Sequence, residues 1–166
     1  INDIEDIYNF MKNKKEIDSS KIALMGFSRG AYRSILVASR LKDLRAVIID
    51  GSPSKKILFN WEPVEFRNKV VAYIKSKSGV DVLSDDFNPN LMIKKISPVP
   101  ILLLYGKLDT TVRLENGKDL FDAANNPKKM VILENSGHCN AINTKNDSEI
   151  YVKSVIDFLD KYIAVK

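Results

Sequence analysis

Four short apolar runs constrain this chain more than any other feature. They are Ile22-Ala23-Leu24-Met25, Ala46-Val47-Ile48-Ile49, Ile101-Leu102-Leu103-Leu104-Tyr105 and Met130-Val131-Ile132-Leu133. None alternates apolar with polar residues, so each predicts a strand buried on both faces. Such strands belong to parallel sheets, whose crossover helices cover both sides. The segments between them carry helical spacing. Residues 3–14 place Ile4, Ile7, Tyr8, Phe10 and Met11 on one stripe, and residues 29–41 do the same with Ala31, Ile35, Ala38 and Leu41. Residues 114–124 predict a third helix. Residues 148–163 predict an amphipathic last one, with Tyr151, Val155, Phe158, Leu159 and Tyr162. The strands themselves are expected at 21–27, 45–50, 100–105 and 128–134. The expected fold is therefore α/β, a three-layer sandwich around a mostly parallel sheet.

The regular order lapses between Gly51 and Ser97. Residues 59–77 predict one or two helices, and residues 89–96 a short one. An excursion at the C-terminal edge of such a sheet is where a substrate-covering segment sits. Residues 1–166 are expected to form one domain, with 53–97 as a lid-like insertion. Phe59, Trp61 and Phe66 either line an apolar pocket there or form the insertion's own core. The net charge of +5 invites a nucleic-acid reading. Lysines such as Lys12, Lys14 and Lys15 stand beside Glu5, Asp6 and Glu16, however, which describes a solvated surface rather than a basic stripe. Cys139 is the one cysteine, so an internal disulfide and a cysteine-based zinc site are excluded. No apolar run approaches the ~18 residues that cross a bilayer. Residues 1–10 carry acids and no signal-peptide pattern. A cytoplasmic protein is expected, without membrane or nucleic-acid partners, and neither a metal nor an organic cofactor is implied.

Directly behind the first apolar run stands Gly26-Phe27-Ser28-Arg29-Gly30. In a strand–turn–helix context this is the pattern of a nucleophile elbow, with serine at the apex of a sharp turn. The bland alternative is a strand–helix turn of any α/β protein. A serine hydroxyl is a poor nucleophile without a neighbouring base, so the elbow reading demands a histidine and a carboxylate to hold it. His138 is the only histidine, and it follows the fourth strand. Asp109 follows the third strand. Asp50, after the second, competes for the carboxylate position, and the more specific segment around Asp109 favours that residue. Ser28, Asp109 and His138 stand in the chain order expected behind such an elbow. Parallel strands deliver all three to one edge of the sheet. His138 would take the Ser28 proton during attack on a carbonyl carbon and return it to the leaving group, with Asp109 fixing the imidazole tautomer. The backbone N–H of Arg29 would meet the developing oxyanion.

Three segments then resemble the α/β-hydrolase superfamily: Gly26 to Gly30, Leu104-Tyr105-Gly106-Lys107-Leu108-Asp109-Thr110-Thr111-Val112, and Asn135-Ser136-Gly137-His138. The helix at 152–162 matches as well. Within the superfamily the chain is most similar to small esterases and to the catalytic domains of prolyl-oligopeptidase-type or dienelactone-hydrolase-like enzymes. The resemblance implies a serine hydrolase that cleaves carboxylic esters through an acyl-enzyme on Ser28, with a small ester or acyl compound as substrate. Phe27, Phe59 and Trp61 are candidates for lining it. An oligopeptidase-type peptidase and a non-catalytic or weakly active binding module are the alternatives. The resemblance covers only the C-terminal part of the family fold. Several strands normally precede the elbow strand, whereas here one helix does. The loop that supplies a second oxyanion amide, often marked by His-Gly, has no counterpart, and one such donor is worth ~3 kcal/mol. The elbow strand is expected to expose an apolar edge, covered by an upstream segment or by a second copy. Arg33 is larger than a packed position on the elbow helix would admit.

Overall fold

The computed structural model describes residues 2–55 and 64–164. Its sheet holds β1 (Ala23–Phe27), β2 (Ala46–Asp50), β3 (Ile101–Gly106) and β4 (Lys128–Leu133), in that spatial order. Every neighbouring pair is parallel, with Phe27 opposite Asp50, Asp50 opposite Leu104, and Gly106 opposite Leu133. The C-terminal ends of all four strands therefore open onto one edge. Helix α1 (Asn2–Lys12) precedes β1, and α2 (Arg29–Ala38) links β1 to β2. Helices α3 (Val64–Ser78) and α4 (Pro89–Met92) lie between β2 and β3, α5 (Leu114–Ala123) between β3 and β4, and α6 (Ser148–Leu159) after β4.

Side-chain alternation along the strands divides the core into two layers. Val47, Ile49, Ile101, Leu103 and Tyr105 pack with Ala31, Ile35, Met92, Ile93, Ile96 and Leu120. Ala46, Ile48, Leu102 and Leu104 turn the other way, against Tyr151, Phe158 and Leu133. Helices thus cover both faces, as unbroken apolar strands require. Every residue of β2 and β3 is buried.

The elbow strand departs from that expectation. In β1 only Gly26 is buried, and Met25 and Phe27 are 36% and 49% exposed. Among the described residues β1 pairs on one side only, with β2, so its side chains lack the second neighbour that shields those of β2 and β3. Some boundaries shift for local reasons. Asp18 caps the turn Ser19–Lys21 by accepting the Ser20 N–H at 3.0 Å, so Lys21 belongs to that turn and β1 starts at Ala23. Helix α2 closes at Ala38, where the Ser39 hydroxyl donates to the Leu36 carbonyl at 2.7 Å, and Leu41 lies beyond it. The last helix changes at Asp160 into a π-helical turn. Arg33 is exposed, so no packing conflict exists at its position.

The 53–97 segment is anchored at both ends. Tyr105 Oη donates to the Ser52 carbonyl at 2.7 Å. Asn116 Oδ1 accepts from the Ser54 N–H at 3.1 Å and the Ser54 hydroxyl at 2.9 Å. At the other end Met92, Ile93 and Ile96 enter the core. Between them α3 buries none of its residues, and Phe66 is exposed, which corrects the expectation that it belongs to a core of the insertion's own. Phe59 and Trp61 lie outside the described residues. Among the described residues no helix is long and apolar enough to cross a membrane.

Candidate active site

The turn from β1 into α2 places Ser28 at φ 51° and ψ −120°. A non-glycine residue holds such a conformation only where its surroundings impose it. Here the Ser28 N–H donates to the Asp50 carbonyl at 2.8 Å, and the Ser28 carbonyl accepts the Tyr32 N–H at 3.1 Å. The strand and helix meet over Gly26. A Cβ there would stand 2.4 Å from Ser34 Oγ, 2.7 Å from the Gly30 carbonyl and 2.8 Å from Ala31 Cα. Of the two glycines that flank Ser28 in the motif, only Gly26 is required by close packing, because a Cβ on Gly30 meets no described atom within 4 Å.

Asp109 lies in the turn after β3, nearly shut off from solvent. Its Oδ1 accepts the N–H groups of Thr111 and Val112, each at 2.8 Å. Its Oδ2 faces His138 Nδ1 at 2.6 Å. An ionised carboxylate only accepts, so Nδ1 carries the proton and donates it. In the neutral ring Nε2 is then an acceptor, and it faces Ser28 Oγ at 2.9 Å. Ser28, His138 and Asp109 thus form one hydrogen-bonded line across three strand ends. The competing carboxylate is engaged elsewhere. Asp50 Oδ2 accepts the Tyr151 hydroxyl at 3.0 Å. Burial raises the Asp50 carboxyl above its usual range, against the pull of its bonds to Tyr151 and Cys139.

Around this line lie residues that the chemistry of the motif did not single out. Cys139 has φ 49°, and its thiol donates to the Asp50 carbonyl at 3.6 Å and lies 3.9 Å from His138 Nε2. Burial first, and the nearby Asp50 charge second, push that thiol up to about 12. Gly51, at φ 61°, closes the opposite side: a Cβ there would be 2.8 Å from Cys139 Sγ and 3.3 Å from His138 Cε1. Asp147 reaches back from the start of α6 to Asn135 and Ser136, just ahead of His138. Phe27 lines an apolar groove of about 310 Å³ with Met25, Cys139, Ile142, Tyr151, Val152, Val155 and Ile156. Arg29, whose N–H is the expected oxyanion donor, is the first residue of α2. Among the described residues no cluster of three or more His, Cys, Asp or Glu side chains converges to hold a metal ion.

A serine on a strand-to-helix elbow, at the C-terminal ends of a parallel sheet covered on both faces, defines the class of the α/β hydrolases. Within that class the chain belongs to the prolyl oligopeptidase family, which is matched across residues 1–166. It is 22% identical over 161 residues to the uncharacterized protein YfhR of Escherichia coli K12, covering 96% of this chain and 52% of that protein. The chain thus spans about half the length of the curated relatives it matches. Solved structures share the fold. The α/β hydrolase GrgF from Penicillium sp. sh18 superposes with a TM-score of 0.74 at 17% identity, over 98% of this chain and 71% of that one. The esterase domain of a Rhodothermus marinus protein does so with a TM-score of 0.71 at 20% identity, over 97% and 68%.

Proposed function

We propose that this chain carries the catalytic centre of a serine hydrolase that cleaves small carboxylic esters through an acyl-enzyme. The observation that carries the reading is the 2.9 Å approach of His138 Nε2 to Ser28 Oγ on a serine held at φ 51°. As Oγ adds to the carbonyl carbon, Nε2 takes the hydroxyl proton, and the carbonyl oxygen becomes an oxyanion facing the Arg29 N–H. Asp109 stabilises the imidazolium without taking its proton. Collapse of the tetrahedral intermediate breaks the C–O bond, and Nε2 returns the proton to the leaving alkoxide. Water then adds to the acyl-enzyme, giving its proton to Nε2, and Ser28 recovers that proton as the acid leaves. The esterase domain among the structural neighbours supports an ester substrate. We assign 53–97 as the segment that covers the substrate and Phe27 as a lining residue. Phe59 and Trp61 are assigned to that lining from the sequence alone.

A second oxyanion donor, worth ~3 kcal/mol in such sites, is assigned to a segment packed along β1. The lone thiol suits a reducing, cytoplasmic setting. Family membership favours a second reading, a peptidase of the oligopeptidase type. Labelling with a fluorophosphonate tests the nucleophile: Ser28 is expected to be the modified residue, and a folded chain that stays unlabelled ends the hydrolase reading. Release of p-nitrophenol from short acyl esters, lost in Ser28→Ala, supports the esterase. Turnover confined to peptidyl p-nitroanilides supports the peptidase.

A further inference from the structure

We propose that Asp147 is the positioning residue that sets His138 between Asp109 and Ser28. The proposal rests on the catalytic reading of those three residues. Asp147 is 1% exposed and stands at the N-cap of α6, where an aspartate ordinarily accepts N–H groups of its own first turn. Its side chain makes no such bond. Both oxygens point backwards instead. Oδ2 accepts the Asn135 N–H at 2.8 Å and the Ser136 hydroxyl at 2.5 Å, and Oδ1 accepts from Asn135 Nδ2 at 3.1 Å. All three donors belong to the two residues that lead into Gly137 and His138.

Ser136 carries the constraint further. It is fully buried, and its carbonyl accepts the Leu108 N–H at 2.9 Å. Leu108 directly precedes Asp109. One buried carboxylate thereby fixes the loop that bears the histidine, and through Ser136 it ties that loop to the one that bears the aspartate. The 2.6 Å contact between Nδ1 and Oδ2 joins the ends of two different strands, so it depends on such a tie. Burial pushes the Asp147 carboxyl up, but the bonds from Ser136 and Asn135 outweigh it and leave the group below its usual range. A hydrogen-bonded buried carboxylate of this kind is a rigid anchor.

His138 is the only histidine, so the low-field resonance of its Nδ1–H in proton NMR is assigned without ambiguity. The experiment follows that resonance and the rate of Ser28 labelling by a fluorophosphonate in Asp147→Ala, Asp147→Asn and Ser136→Ala. Asp147→Ala is expected to lose the resonance to solvent exchange. Its labelling is expected to fall about 10²-fold, the cost of misplacing a catalytic group by ~1 Å. Asp147→Asn is expected to keep both. Its side-chain oxygen accepts the same N–H and hydroxyl, and the Asn135 amide turns over to meet its NH₂. Ser136→Ala removes one bond and leaves a smaller hole, so it provides the comparison if Asp147→Ala does not fold. An unchanged resonance and rate in a folded Asp147→Ala or Ser136→Ala overturns the proposal, and so does an Asn variant as impaired as the Ala variant. If wild-type Ser28 is not labelled at all, the catalytic reading falls. The resonance still decides the positioning claim independently.

Discussion

Gly106 tests how closely the two loops behind His138 must approach. It ends β3, and a Cβ built on it would lie 2.3 Å from the Gly137 carbonyl oxygen and 2.4 Å from that of Ser136. Ordinary contact for a Cβ begins at 3.4 Å, so 2.3 Å leaves a shortfall of about 1.1 Å. Both clashing atoms are backbone, so no side-chain rotation relieves them. The chain yields by moving the 134–138 loop away from β3, which is also away from Asp109. A contact of 2.6 Å that opens by such an amount is no longer a hydrogen bond. The imidazole then loses its fixed tautomer and its aim at Ser28. For Gly106→Ala a displacement of ~1 Å predicts labelling of Ser28 slowed about 10²-fold. Overpacking of this kind costs about 1–3 kcal/mol. At roughly 2–4 °C per kcal/mol for a chain of this size, that is a loss of several degrees in Tm. Fluorophosphonate labelling followed by intact-protein mass spectrometry gives the rate, and calorimetry gives the Tm. A Gly106→Ala chain that melts cooperatively and labels at the wild-type rate would refute the argument, since the loops would then tolerate an added methyl without disturbing the histidine.

Three further outcomes follow from the surroundings of the same line. Gly51→Ala forces a Cβ onto a residue at φ 61°, at about 1–2 kcal/mol for the backbone alone. It also crowds His138 and Cys139, so calorimetry should find a lower Tm together with slower Ser28 labelling; a loss of stability with labelling intact would separate the two effects. The Cys139 thiol, pushed to about 12 from an ordinary 9.0, has a thiolate population at neutral pH about 10³-fold below that of a free cysteine. Iodoacetamide should therefore modify it very slowly in the folded chain, and rapid alkylation would contradict that environment. Asp50 ionises less readily when folded than its ordinary 3.8, so the folded state holds the extra proton and stability declines as pH rises above about 4. Asp50→Asn removes this penalty, so its Tm should gain on the wild type as pH rises through that window, and a difference that does not change with pH would exclude the effect.

The parts of the fold set by local pattern were open to reading in the sequence. Unbroken apolar runs gave four parallel strands, and helical stripes gave the layers that cover them. The strand ends then placed Ser28, Asp109 and His138 on one edge. What escaped was set by neighbours rather than by the residues themselves. Met25 and Phe27 belong to an apolar run like those of β2 and β3, yet burial of a strand depends on having a partner on each side. Asp147 ends the stretch Asn143-Thr144-Lys145-Asn146-Asp147, whose composition describes a solvated loop. Its contacts with Asn135 and Ser136 exist only once the loop has folded back on itself. Cys139, unlike the glycine at 51, carries no signal of the left-handed backbone it adopts beside the imidazole.

The choice between the two carboxylates was a different matter, because alternation within a strand already decided it. Asp50 is the last residue of β2 and shares its parity with Ala46 and Ile48. Those two side chains belong to the layer under α6, so the Asp50 carboxylate must point there too, and it meets the Tyr151 hydroxyl. A residue still inside a strand has its direction fixed by the core it helps to form. Asp109 lies beyond the end of β3, in a turn whose own amides at Thr111 and Val112 aim its carboxylate. It is therefore free to face a neighbouring loop, and the neighbour of β3 on that side is β4, which leads to His138. Strand parity thus excludes Asp50 as the partner of the imidazole, and strand order selects Asp109.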